Sequence, residues 1–398
     1  MPTDRRPRAL LAAHANHLRE RGGHESGRVT NIELFFDLVF VFAVTQLSHG
    51  LLDHLNLLGA IQIAVLMLAV WWAWIDTAWI TNWLDPERTA VRLRLFALML
   101  AGLVLSASIP KAFEERALLF ALAYAAIQLG RSLFMLWALK NHDAGNFRNF
   151  VRIILWQAIA AVLWIAGALL HDARLPLWAL AVCIETVAPI FGFWVPVLGR
   201  SATTDWQVEG GHIAERCSLF VIIALGESVL VTGATFAGLT WNAEHIGAFL
   251  VAFAGSVAMW VIYFNIGAER ASRQIASSDD PGRIARNGYT YFHILIVAGI
   301  IVAAVGDELV LHHPAGHNDI KTAAVLLAGP ALYLAGNSLF KRLSANNYPL
   351  SHWVGLGLLA LLIPAAPLMT PLLLSAATTA VLMIVAAWES ISFRPPRA

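Results

Sequence analysis

The chain has 398 residues, 58% of them hydrophobic and only 13% charged, with 27 basic side chains against 26 acidic ones. A soluble domain carries about 25% charged residues, and too few are present here to cover the surface of a water-soluble protein of this length. Apolar runs of about 18 residues or more recur from end to end, the pattern of spanning helices. Soluble enzymes, extracellular modules and nucleic-acid binders are thereby excluded. The fold expected is all-α, a polytopic transmembrane helical bundle.

Residues 1–31 form a basic tail carrying Arg5, Arg6, Arg8, Arg19, Arg21 and Arg28. No short apolar region with a small-residue cleavage site follows, so the tail reads as retained and cytosolic. Twelve spans are expected after it, at about 32–52, 57–80, 93–110, 117–139, 152–170, 176–198, 213–236, 246–267, 288–311, 322–341, 351–366 and 368–390, from apolar run length and periodicity. A short cytosolic tail, 391–398, closes the chain. Pro364 and Pro367 divide the last two spans, which makes a hairpin an alternative there.

Ionisable groups within hydrocarbon cost about 2.5–3.5 kcal/mol each at mid-span, so they need partners, water or a function. Span 1 carries Glu33 and Asp37, four apart and on one face. Asp76 lies in span 2, Arg131 in span 4 and Glu185 in span 6, where Pro189 one turn later is expected to free the Glu185 carbonyl and kink the helix. Span 7 carries Glu215, Arg216 and Glu227, span 9 Asp307 and span 12 Glu389. The set is net acidic, which favours cation or proton handling over anion binding.

Glu33, Asp76, Glu215 and Glu389 lie close enough to helix ends to snorkel or cap instead. Asp37 and Arg131, of opposite sign, suit an ion pair tying span 1 to span 4. Glu185 and Glu227 fall nearest mid-membrane and are the leading proton carriers, with Gly226 expected to admit a neighbouring helix beside Glu227. The tryptophans Trp71, Trp72, Trp74, Trp79 and Trp83 read as interfacial anchors. His49, His212 and His293, near span ends, read as interfacial too. The outer loop His312 to Asp319 places His313 and His317 four apart, but Pro314 and Gly316 remove the helical geometry a metal site would use. No metal and no cofactor is expected. The two cysteines, Cys183 and Cys217, both inside apolar runs, suggest no disulfide framework.

Most Lys and Arg residues fall in the tail and the even-numbered loops, with only Lys111, Arg116, Arg174 and Lys321 opposite. By the positive-inside rule both termini are cytosolic. The two halves also echo one another: Trp71-x-x-Trp74-x-Asp76 with Trp260-x-x-Tyr263-x-Asn265, and Gly130-Arg131-Ser132-Leu133-Phe134 with Gly336-Asn337-Ser338-Leu339-Phe340. Two parallel six-helix repeats, 32–200 and 213–390, are therefore expected.

The run from Asn31 to Leu47, with Glu33-Leu34-Phe35-Phe36-Asp37 at its start, resembles the opening motif of the bacterial low temperature requirement A family. His212-Ile213-Ala214-Glu215-Arg216, followed by Ile223-Ala224-Leu225-Gly226-Glu227-Ser228, resembles that family's second characteristic stretch. The resemblance implies a multi-pass bacterial inner-membrane protein linked by name to growth in the cold, and no established biochemical activity. Span 1 is also similar to the pore-lining first helix of a potassium channel family with six-helix repeats. That family's Phe-Ser-Asp appears here as Phe35-Phe36-Asp37, and Leu219 stands where the second repeat would hold an acid.

The function expected is a non-enzymatic secondary transporter or permease of a small solute, coupled to protons or cations. Its partners are the lipid bilayer and that solute or cation, with no nucleic acid. One alternative is a cation channel lined by spans 1 and 7, and another a non-transport membrane component of cold adaptation.

Overall fold

A computed structural model describes residues 17–19, 28–265, 272–275, 277–345 and 348–392. Most of the two tails, and the loop residue Arg270, lie outside the described residues. Twelve helices of thirteen residues or more occur among the described residues: α1 Asn31–Asp53, α2 Leu57–Thr81, α3 Thr89–Ser108, α4 Ala117–Leu139, α5 Ala144–Leu169, α6 Arg174–Val187, α7 Gly210–Ala237, α8 Ala243–Phe264, α9 His293–His312, α10 Ile320–Ala345, α11 Leu350–Leu362 and α12 Pro371–Ser392. Ten are long and apolar enough to cross a membrane, the exceptions being α6 and α11. Exposed leucines such as Leu100, Leu169, Leu230 and Leu361 are what a lipid-facing surface requires. The protein is a polytopic helical membrane bundle.

The sixth span differs from expectation. Rather than a kinked helix reaching residue 198, α6 stops at Val187, and residues 188–199 fold into consecutive turns. Ala188 still has αR geometry, but Pro189 has no N–H to donate to the Glu185 carbonyl, so the helical hydrogen bonding stops there. Beyond it the chain reverses tightly, with Gly192, Phe193, Val197 and Gly199 all at positive φ. Gly192 is required there, because a Cβ would stand 2.2 Å from the Ser201 carbonyl oxygen. Arg152 of α5 closes the turn by donating to the Leu198 carbonyl. The start of the ninth span also differs, since residues Ala285–Phe292 form a π-helical segment ahead of α9.

The chain divides into two compact units. The first comprises residues 1–40 and 69–213, and the second residues 41–68 and 214–398. Each therefore takes part of α1 and of α2. In the first unit α3 packs on α4, α4 on α5 and α5 on α6. Residues 17–19 run alongside residues 83–85, with the Arg19 N–H donating to the Trp83 carbonyl at 2.8 Å and that of Asp85 to the His17 carbonyl at 2.9 Å. In the second unit α9 and α10 form the most extensive contact, and α12 packs against α8, α10 and α11. There the close approach is made by glycines: a Cβ on Gly299 would stand 2.5 Å from the Tyr333 backbone nitrogen, and one on Gly329 2.7 Å from that of Ala303. Small residues at such crossings let helix backbones pack without a hydrophobic driving force.

Trp71, Trp72 and Trp74 of α2, and Trp83 just beyond the helix, are buried core residues, not interfacial anchors, whereas Trp79 is half-buried. Three of these indoles donate inward: Trp74 to Asp37 at 2.7 Å, Trp72 to the Thr186 hydroxyl at 3.2 Å and Trp83 to the Gln207 carbonyl at 2.6 Å. An indole N–H buried in hydrocarbon needs an acceptor, and here it finds one each time.

Candidate functional site

Within the first unit, α4 sets Tyr124, Gln128 and Arg131 at spacings of four and three, on one helical face. That face is buried against α2, α5 and α6, where its polar groups must be satisfied internally. Arg131 donates to Asp76 at 2.8 Å, to the Ala73 carbonyl at 3.2 Å and to the Thr77 hydroxyl at 3.3 Å. It also bonds the Gln128 side-chain oxygen. The Gln128 amide then donates to the Tyr124 hydroxyl at 2.9 Å and to Glu185 at 3.4 Å. Trp164 donates to the other Glu185 oxygen at 3.3 Å, and the Tyr124 hydroxyl also bonds this carboxylate. The result is a continuous chain of polar side chains, Asp76, Arg131, Gln128, Glu185. Asp76 is 29% exposed at one end, and Glu185 is buried at the other.

Arg131 neutralises Asp76, which leaves Glu185 as the second acid of the cluster. Its bonds from Gln128 and Trp164 are at the long end of hydrogen-bonding range. Asp37 does not take part: Arg131 bonds Asp76, while Asp37 is fully buried and accepts from Trp74. The ion pair expected between Asp37 and Arg131 is therefore replaced by two separate interactions. Tyr124 and Gln128 were not singled out in the sequence, although their spacing from Arg131 was a usable signal.

A second cluster in this unit surrounds Glu33, which is fully buried and does not snorkel. One carboxylate oxygen accepts from Arg19 at 3.0 Å and from the backbone N–H and hydroxyl of Thr30, each at 2.9 Å. The other is 2.8 Å from His212 Nε2. The Thr30 and Glu33 contacts are half of a capping box closing the start of α1. Glu33 is thus held by four polar contacts from three residues. His212, read as interfacial, is instead fully buried, with Asn82 3.2 Å from its other ring nitrogen. Nearby, burial lowers the pKa of His17, and Arg88 and His142 lower it further.

In the second unit, Glu227 of α7 is half-buried and accepts from the Thr45 hydroxyl of α1 at 2.5 Å. Gly226 does not admit a neighbouring helix: it is exposed, and nothing among the described residues lies within 4 Å of where its Cβ would be. Glu215 is exposed, and Arg216 is fully buried. Glu389 is buried and pairs with Lys341 at 2.6 Å and with His352 at 3.4 Å. Lys341 belongs to this bundle interior, not to a loop as its position in the sequence suggested. Arg152 and Arg174 are buried as well. Buried cations thus offset the buried acids, and the net acidic balance expected does not describe the interior.

Asp307 of α9 lines a small cavity with Ser375, Thr378 and Thr379 of α12. In the loop between α9 and α10, Asp319 caps α10 by accepting from the Thr322 N–H at 2.6 Å, which holds its carboxyl below the usual carboxylate range. Among the described residues, no three His, Cys, Asp or Glu side chains come together in a way that could hold a metal ion.

The two motif stretches thus meet at two points, Glu33 with His212 in the first unit and Thr45 with Glu227 in the second. They are the same stretches by which the chain resembles a known family. The family described as bacterial low temperature requirement A protein matches residues 28–387. An uncharacterized protein of Rhizobium meliloti (strain 1021) is 39% identical over 387 residues, which is 96% of this chain and 94% of that protein. No solved structure matches. The chain belongs to the bacterial low temperature requirement A family.

Proposed function

We propose that this protein is a secondary transporter of a small solute, coupled to protons or cations, in the bacterial inner membrane, with both termini cytosolic. The observation that carries the reading is the polar chain from Asp76 through Arg131 and Gln128 to Glu185. Polar side chains in a membrane bundle are expensive, and a connected set of them ending on a carboxylate is the arrangement a proton relay uses. In this reading Glu185 and Glu227 exchange protons. Asp37, Arg131 and Arg216 belong to the polar groups that rearrange during alternating access, and the role is non-enzymatic. Two parallel repeats are part of the proposal, supported by the sequence echoes and by α3 to α6 and α9 to α12 each packing on their neighbours in order.

A cation channel is the second reading, favoured by the Thr45–Glu227 hydrogen bond, which sets polar groups of α1 and α7 together. Comparing the solutes accumulated by cells with and without the protein identifies what to offer in proteoliposomes. A transporter saturates and shows counterflow. Steady current that neither saturates nor counterflows would decide for the channel.

A further inference from the structure

The Asp307 cavity of the second unit lies apart in sequence from the Asp76–Glu185 chain and has a different chemistry. It has a volume of about 30 Å3, room for one or two water-sized occupants. Its walls come from four helices: Gly255 and Met259 of α8, Gly306 and Asp307 of α9, Leu326 and Pro330 of α10, and the hydroxyl residues of α12. Among the described residues, no hydrogen-bond donor or cation contacts the Asp307 carboxylate. A carboxylate held in that position inside a membrane bundle calls for a counter-charge or a proton.

The other lining groups supply oxygen. Pro330 lies inside α10 and has no N–H, so the carbonyl four residues earlier, that of Leu326, lacks its helical donor. Leu326 itself lines the cavity. Gly306 brings α9 close to it: a Cβ there would stand 3.1 Å from Leu326 Cδ2. The Thr378 hydroxyl donates its proton to the Ser375 carbonyl at 3.0 Å, which leaves its lone pairs for another partner. Gly255 keeps the space beside Thr379 open, since a Cβ would stand 3.3 Å from the Thr379 hydroxyl.

One carboxylate, one released carbonyl and three hydroxyls form a hard oxygen set with a single negative charge. Calcium and magnesium sites ordinarily recruit more carboxylate or water than this. A monovalent ion leaves the site neutral. Backbone carbonyls freed from helical hydrogen bonding coordinate sodium in membrane transporters. We propose that Asp307, the Leu326 carbonyl, Ser375, Thr378 and Thr379 form a binding site for a sodium-sized monovalent cation. This deepens the transport reading by adding a bound monovalent cation beside the protons carried by Glu185 and Glu227, and rests on that reading for the ion's movement, whereas binding is measured separately.

The test is equilibrium binding of radioactive sodium to the purified full chain in detergent, in choline chloride at pH 8. Wild type is expected to bind saturably, with potassium competing at least tenfold more weakly. Asp307→Asn is expected to lose binding by tenfold or more, and Ser375→Ala and Thr379→Val to weaken it severalfold, each eluting as wild type on size exclusion. Should Asp307→Asn misfold, the two hydroxyl variants carry the test. Absence of saturable binding by folded wild type overturns the proposal, as does unchanged binding in every folded variant. Asp307-dependent binding by a protein that moves no solute upholds the site and counts against the transport reading alone.

Discussion

Arg131 shows how a single charge is accommodated in this membrane bundle. It is 2% exposed and held by Asp76, Gln128, Thr77 and the Ala73 carbonyl, so no donor on its outer nitrogens is left to hydrocarbon. Removing it strands Asp76 among buried neighbours. Arg131→Met should therefore destabilise the protein by on the order of 3 kcal/mol, the lower end for breaking a buried pair because Asp76 is partly exposed. Asp76→Asn combined with Arg131→Gln should lose clearly less, and thermal unfolding in detergent compares the two. The ionisable residues were legible in the sequence because each interrupts an apolar run. Their partners were not. Asp37 was matched to Arg131 by sign alone, whereas the Trp74 indole is its acceptor-seeking neighbour, and an indole in an apolar run gives no hint of which way its N–H points. Likewise Lys341 and His352 sit at helix ends in the sequence, yet reach Glu389 in the interior.

At the scale of the helix, α9 and α10 depend on glycine. A Cβ on Gly336 would stand 2.8 Å from the Ile296 backbone nitrogen, and Gly299 and Gly329 are equally crowded by backbone. Backbone cannot swing aside as a flexible side chain can. Gly299→Ala and Gly336→Ala should each lower stability by about 1–3 kcal/mol through overpacking. Gly226→Ala should be neutral or slightly stabilising, since its Cβ has open space and glycine in a helix interior costs about 0.5–1 kcal/mol relative to alanine. Melting temperatures of the three variants check this. Helix positions were largely readable because run length and apolarity are local properties. The end of α6 was missed because Pro189 was read as a kink within a helix. Its effect combines with Gly192 and Gly199, which allow the chain to turn back on itself.

At the scale of the whole molecule, the side each loop faces turns on α6. As a helix of 14 residues, α6 spans only about 21 Å of a hydrocarbon core about 30 Å thick. The turns at residues 188–199 must complete the crossing if the basic loops are all to lie on one side. Single cysteines at Ala202 and His317, in a background lacking Cys183 and Cys217, should then label from opposite faces, Ala202 from the cytosol and His317 from outside. The reverse pattern would mean that α6 does not cross. Family membership was legible because both motif stretches stand intact, and they meet as Glu33 with His212 and Thr45 with Glu227. The solute was not legible, because no side-chain pattern in an apolar bundle specifies one. The coupling claim is nevertheless open to direct measurement. Proteoliposomes containing a pH-sensitive dye, challenged with the solute found by accumulation, report whether its entry moves protons. The account predicts solute-driven acidification by wild type and its loss, by tenfold or more in rate, in Glu185→Gln and Glu227→Gln. Unchanged solute flux and unchanged acidification in both variants would contradict it.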